Sequence, residues 1–328
     1  MKNEIIKILL RRILASLLVL FLLITFLFFL LRISPGEPYQ KFVSPELSPR
    51  LASLVKESFD LNGSLPEQYK SFVINLCRGN FGISYTYRIP VTEVILMYLP
   101  FTIIFSLLSF IIQIGAAFFL SLLSVKKING GIDKTISKTS LVVYALPSFV
   151  IGVSLIYIFS GMLNLFPSSG LSSFDSGSYS FLQKLFDYSN HMVLPLITLS
   201  LGGTAVFYKY LRDNLIDIYN KPFVENLRMH GFSESEITRK HVIPNAVSPL
   251  IAVAGVELGL LFGGALITEV IFSLPGMGRL TVNAILSRDY PLVTGCTFVA
   301  GLLVIITNLL ADLIKAKLDK RLLKGILN

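Results

Sequence analysis

The chain has 328 residues, of which 53% are hydrophobic and only 15% charged, and its mean hydropathy is +0.70. A soluble domain of this length needs far more polar surface, so the composition excludes one and indicates a polytopic membrane protein. The formal net charge of +9 is read first as Lys and Arg in cytoplasmic loops rather than as a nucleic-acid surface.

The N-terminus, MKNEIIKILLRR, precedes the apolar run ILASLLVLFLLITFLFFLLRI. That run is long enough to span a bilayer, and no small-residue cleavage site follows it. It is therefore expected to be a retained first transmembrane helix rather than a secretory signal. Six apolar segments follow one another near 13–31, 97–124, 139–163, 191–211, 247–272 and 292–314. Each approaches the length that crosses the hydrocarbon core. The fourth and sixth carry polar residues, which predicts that they pack inside the bundle. The expected fold class is all-α, with six transmembrane helices.

Six spans place both termini on one side, and positive charge chooses the side. With the N-terminus inside, about nineteen of the 29 Lys and Arg residues fall in inside segments. Lys126, Lys127, Lys134 and Lys138 occupy the second inside segment. Lys209, Arg212, Lys221, Arg228, Arg239 and Lys240 occupy the third. The short outside loops near 164–190 and 273–291 carry only Lys184, Arg279 and Arg288. The termini and the 212–246 loop are thus predicted to be cytoplasmic. The outside segment 32–96 is too long for a bare connection. It holds amphipathic pieces, LASLVKESFDL and EQYKSFVINLC, and is expected to form a small cap of short helices and then an extended stretch near FGISYTYRIPV. The division is accordingly 1–31, the N-terminus and first span; 32–96, the extracytoplasmic segment; and 97–328, a five-helix core that includes the 212–246 loop. No internal repeat or low-complexity region stands out.

Within that loop, residues 225–245 read ENLRMHGFSESEITRKHVIPN. Pro222 suits a first helical turn, and a short helix is predicted from about Phe223 to His230. Gly231 fits the C′ position, which requires a left-handed backbone. Ser233 is placed as the N-cap of a second helix, with Glu236 completing a capping box and Phe232 and Ile237 forming a hydrophobic staple. Glu234 and Glu236 suit a helix N-terminus, and Arg239 and Lys240 its later turn. Pro244 is expected to end or redirect this helix. Helices this short are marginal alone. Phe223, Leu227, Phe232, Ile237 and Val242 therefore need something to pack on, and a docking partner is the expected provider.

These residues resemble the motif by which membrane subunits of binding-protein-dependent ATP-binding-cassette importers engage their ATPases. In that motif a Glu-Ala-Ala is followed after three residues by Gly, and nine further residues lead to Ile, one residue and Leu-Pro. Glu225 holds the Glu place, Gly231 the Gly place, and Ile243-Pro244 the place of Leu-Pro. Asn226 and Leu227 replace both alanines, and His241 stands where many members have Ile. Lys240-His241 and Asn245-Ala246 are similar to pairs usual in the dipeptide, oligopeptide and nickel branch. The resemblance covers nearly the whole chain, through NGSLPEQY, GNFGISY, ALPSFVIGVSLIYIFSGMLNLFPSSG, VIFSLPGMGRL, SRDYPLVTG and NLLADLIKAKLDKRL.

The resemblance implies a type I importer permease fold in a bacterial or archaeal inner or plasma membrane. It implies a second homologous permease, two cytoplasmic ATPase subunits that hold ATP and Mg, and an extracytoplasmic substrate-binding protein. The chain itself is then not an enzyme and carries no cofactor. The loop would be a coupling helix seated in an ATPase groove, with Glu225, Arg228, Gly231, Ser233, Glu236, His241, Pro244 and Asn245 as its coupling residues. Peptide is the expected cargo. Nickel or a metal chelate is the alternative within the same machine, and an ion-coupled secondary transporter is the alternative of another class. The last is expected to show inverted repeats or broken spans with coupling acids, and neither stands out.

Other constellations are weaker. Cys77 and Cys296 share no metal-like spacing. His191, His230 and His241 do not converge on a metal. No Walker loop and no Gly-x-Ser-x-Gly elbow is present. Among Glu257, Glu269 and Asp312, which lie in or near spans, Glu257 and Glu269 are the candidates for the translocation pathway, Glu257 first. Gly255, Gly259, Gly263 and Gly264 form a small-residue stripe, expected to pack against the partner permease. SLPGMGRL either lines the outer mouth or turns the chain.

Overall fold

The computed structural model describes residues 2–33 and 64–318. Among the described residues there is no strand, only one isolated bridge between Ile83 and Pro90. Five helices are long and apolar enough to cross a membrane, and a sixth span is present if one bent pair is counted as one. The chain divides into two compact units, each discontinuous in sequence: 1–103 with 275–303, and 104–274 with 304–328.

The first unit begins with α1 (Lys2–Ile33). From Leu10 on, most of its side chains are exposed and apolar, as a lipid-facing helix requires, while Leu20, Ile24 and Phe28 recur every fourth residue as a buried seam. The piece predicted from EQYKSFVINLC forms α2 (Leu65–Cys77), opened by a capping box in which the Ser64 amide donates to the Glu67 carboxylate at 2.7 Å. Tyr69 and Phe72 of α2 set their rings 5.4 and 4.8 Å from Phe28. The other predicted piece, LASLVKESFDL, lies outside the described residues.

The stretch FGISYTYRIPV is not extended. It closes into a tight loop, with the Ser84 amide donating to Ile89 O at 3.0 Å and the Arg88 amide to Ser84 O at 2.9 Å. The anchor is distant in sequence. The fully buried Asp289 carboxylate accepts from the Thr86 amide at 2.9 Å and from the Ser84 hydroxyl, and also caps a helix start through the Leu292 amide at 3.3 Å. The helices that complete this unit are the first turns of α3 (Val91–Val125), α11 (Met277–Ser287) and the first part of α12 (Tyr290–Leu318). Val91, Val94, Ile95, Leu280, Leu292 and Val293 form its core.

In the second unit the predicted third span is not one straight helix. α4 (Gly131–Ala145) and α5 (Ser148–Leu155, continued by a π-helical turn to Met162) meet at 103°. The cause is Pro147, which pushes Leu146 before it into extended backbone, φ −82° and ψ 132°. Pro100 and Pro195 lie inside continuous helices, so proline alone does not set a break in this chain. The fourth span, expected at 191–211, is the middle of α6 (Phe181–Tyr219), whose 39 residues reach ~58 Å. That is about twice the hydrocarbon thickness. The capped loop follows, and then α10 (Leu250–Ile271).

Two glycines of the stripe on α10, Gly255 and Gly259, pack within the chain. A Cβ on Gly255 would lie 2.1 Å from the Ala311 Cβ, and one on Gly259 3.1 Å from Thr307 Oγ1. These two glycines let α10 approach the last helix of the same chain. The SLPGMGRL stretch turns the chain out of α10: Ser273 takes φ +53°, and α11 begins just after Gly276.

Candidate functional site: the capped loop and a polar cavity

The loop after α6 is built by backbone chemistry. α7 (Pro222–Met229) starts with its proline in the first turn. It ends in a Schellman motif: the Phe232 amide donates to Leu227 O at 3.2 Å and the Gly231 amide to Arg228 O at 3.0 Å, with Gly231 at φ +79°. The next helical run covers Glu234 to Val247 as α8 (Glu234–Ile237), a π-turn (Thr238–Val242) and α9 (Ile243–Val247).

Three local expectations change. The capping box at Ser233 forms by half: the Glu236 amide donates to Ser233 Oγ at 3.3 Å, but the Glu236 carboxylate takes the Lys240 ammonium at 2.6 Å instead of reaching back. The i+4 cation competes successfully for that acceptor. Pro244 does not end the helix. The preceding π-turn, in which the Ile243 amide reaches Thr238 O, absorbs the missing N–H and the run continues. Phe232, expected to staple onto Ile237, is 39% exposed and lies edge-on to His241, ring centroids 6.2 Å apart.

The loop's apolar residues are also not all waiting for a partner. Val224, Ile237, Val242 and Ala246 are fully buried in a core that Tyr208, Leu211 and Leu215 of α6 supply. Tyr219 and Thr238 join their hydroxyls at 2.5 Å, and the Asn214 amide donates to Ala246 O at 3.2 Å. A helix pair too short to persist alone is thereby fixed to the end of α6. What remains uncovered is a patch of Phe223, Met229 and Phe232, of which Met229 is 72% exposed.

In the same loop Glu225, Arg228, Gly231, Ser233, Pro244 and Asn245 are exposed, and Glu236 and His241 are half-buried. Arg228 bridges the turn to Glu234 with two hydrogen bonds, 2.5 Å from Nε and 3.3 Å from Nη2. The hydrogen bond from the guanidinium holds the Glu234 carboxyl below its usual range, and the carboxylate in turn raises Arg228. Asn245 donates to His241 O at 2.7 Å. His230 donates from Nδ1 to Asn226 O at 2.7 Å, and among the described residues no group of His, Cys, Asp or Glu could hold a metal ion.

The two acids singled out in the spans part company. Glu257 lines a half-open cavity of ≈160 Å³ together with Gln113, Tyr144, Ser148, Thr198 and Gly203. Glu269 is fully buried and does not line that cavity. Gln113 is the residue that sequence reasoning passed over. Its signal was one amide in the middle of an otherwise apolar segment.

Residues 113–324 match the family described as “Binding-protein-dependent transport system inner membrane component”, and residues 5–107 match its N-terminal companion. The chain belongs to this family. It is a multi-pass membrane permease of a binding-protein-dependent ATP-binding-cassette importer, and such a permease works with a substrate-binding protein and an ATPase. It is 31% identical over 313 residues to the oligopeptide transport system permease protein AppB of Bacillus subtilis (strain 168), covering 95% of this chain and 98% of that one. It is also 31% identical over 320 residues to the nickel import system permease protein NikB of Staphylococcus aureus (strain USA300), covering 97% and 92%. The crystal structure of an amino acid ABC transporter with histidines matches with a TM-score of 0.52 and 16% identity, over 69% of this chain and 94% of that chain. That likeness is one of fold, the type I importer permease fold.

Proposed function

We propose that the permease carries peptides, delivered by the binding protein, through an alternating-access cycle in which it pairs with a second homologous permease above two ATPase subunits. ATP and Mg belong to those subunits. The observation that carries the cargo reading is the match to an oligopeptide permease along almost the full length of both chains. The loop geometry supports the coupling role. The exposed Phe223, Met229 and Phe232, with the exposed Glu225 and Arg228 of the same loop, offer apolar and charged groups to an ATPase groove, while the buried face of the loop is fixed to α6. A push on the loop then reaches the membrane segment without loss in a flexible joint, which is what a two-state transporter needs from its power source. The loop and both termini are cytoplasmic in this reading, in keeping with the positive residues.

Nickel or a chelate is the second reading, favoured by the equal identity to a nickel permease. A mild-detergent pull-down of the tagged chain from its native cell, with mass spectrometry, tests the assembly. Recovery of a second permease, two ATPases and a binding protein is expected, and titration of that binding protein with peptides and with nickel separates the cargoes. Recovery of the chain alone in several detergents would overturn the assembly.

A further inference from the structure

The cavity beside Glu257 is lined mostly by apolar residues, with the hydroxyls of Tyr144, Ser148 and Thr198 and one carboxylate among them. Gln113 is 1% exposed, and its Nε2 donates to Leu199 O at 3.1 Å, but its Oε1 has no partner. That oxygen stands over Gly203, where a Cβ would come within 2.2 Å of it, so the glycine is what admits the amide. Thr198 has spent its proton on Leu194 O at 2.8 Å, which leaves its oxygen as an acceptor. The Glu257 carboxylate supplies further acceptors, and among the described residues no Lys, Arg or His lines the cavity. A buried acceptor left unmatched in a low-dielectric segment is costly, and an acid in a span calls for a cationic or donor partner. The volume, ≈160 Å³, falls below the roughly 300–1,000 Å³ of a complete small-molecule site. It suits one end of a cargo rather than the whole.

We propose that this cavity binds an ammonium group of the cargo, with Glu257 as its counter-ion. The proposal rests on the peptide-import reading, because a free peptide carries an ammonium at one end.

The test separates the site from the cargo. In the transporter as purified from its native membrane, with Cys77→Ser removing the exposed thiol, Leu146→Cys on the cavity wall is alkylated with N-ethylmaleimide. n-Propylammonium is expected to slow that reaction, while propionamide at the same concentration does not. Glu257→Gln is expected to raise the protecting concentration about tenfold or more, the size of a lost charge-assisted bond. Size-exclusion elution with the partner chains checks that each variant is assembled, and Glu257→Asp is expected to recover protection. Equal protection by propionamide, equal protection by sodium ion, no protection, or protection indifferent to Glu257→Gln would each overturn the proposal. ATP-driven uptake of dialanine and of N-acetyl-dialanine into vesicles then reads the cargo. Uptake of dialanine alone is expected. Equal uptake of both overturns the ammonium site and leaves peptide import standing, whereas uptake of neither, with protection intact, overturns peptide import and leaves the site.

Discussion

At Gly231 the backbone lies at φ +79° with open space where a side chain would be. Nothing but the backbone therefore opposes a substitution there, and the left-handed conformation costs a β-branched residue ~1–2 kcal/mol or more. Gly231→Val is expected to lower transport-coupled ATPase activity while membrane insertion, read by fractionation, stays normal. Normal transport in that variant would count against the lever role. Ile237 is the opposite case, fully enclosed. Ile237→Ala is expected to cost ~2–5 kcal/mol, read as a lowered thermal midpoint of the purified protein. Across the turn, Arg228 and Glu234 are both exposed, so a double-mutant cycle on them should return ~1 kcal/mol or less. Glu234 is held below its usual range, so this contribution is present at neutral pH and is lost as pH falls through the lowered value. Gly231 and Ser233 were legible in the sequence because a left-handed C′ and an N-cap each accept few residue types. The fate of Glu236 was not, because Ser233 N–H and Lys240 compete for one carboxylate and spacing does not rank them.

Among the elements, helices with long apolar runs were legible and their continuity was not. Pro147 bends its span by 103° while Pro100 and Pro195 stay inside helices; all three are single prolines in apolar runs, and the sequence does not rank them. The same holds for the glycines of α10. Their spacing announced close packing, but only the fold shows that Ala311 and Thr307 of the same chain fill the gap. Gly203 makes an equally tight contact on α6. Gly203→Ala drives a methyl into the Gln113 amide, and overpacking of this kind costs ~1–3 kcal/mol. A lower unfolding midpoint is expected, with relief when Gln113 is shortened to Ala in the same protein. An unchanged midpoint would mean that Gln113 has a second home.

For the molecule in its membrane, the arrangement of sides is the property to test. Cys77 is exposed and lies within the 32–96 segment assigned to the outside. A membrane-impermeant maleimide added to spheroplasts is expected to label Cys77 and to spare Asn245→Cys until the membrane is opened. The reverse pattern would invert the topology and remove the loop from the ATPase side. One further consequence attaches to α6, which carries Thr198 and Gly203 at the cavity and, without a break, Leu211 and Leu215 under the capped loop. A helix stores orientation as a residue count: each residue turns the far end by ~100°. The azimuth of the loop about this axis, as seen from the cavity, is therefore written in the sixteen or so steps from Gly203 to Tyr219. One alanine inserted there keeps every side chain and every cap, yet aims the patch of Phe223, Met229 and Phe232 about a quarter-turn away from where it faced, whereas a whole added heptad nearly restores its bearing.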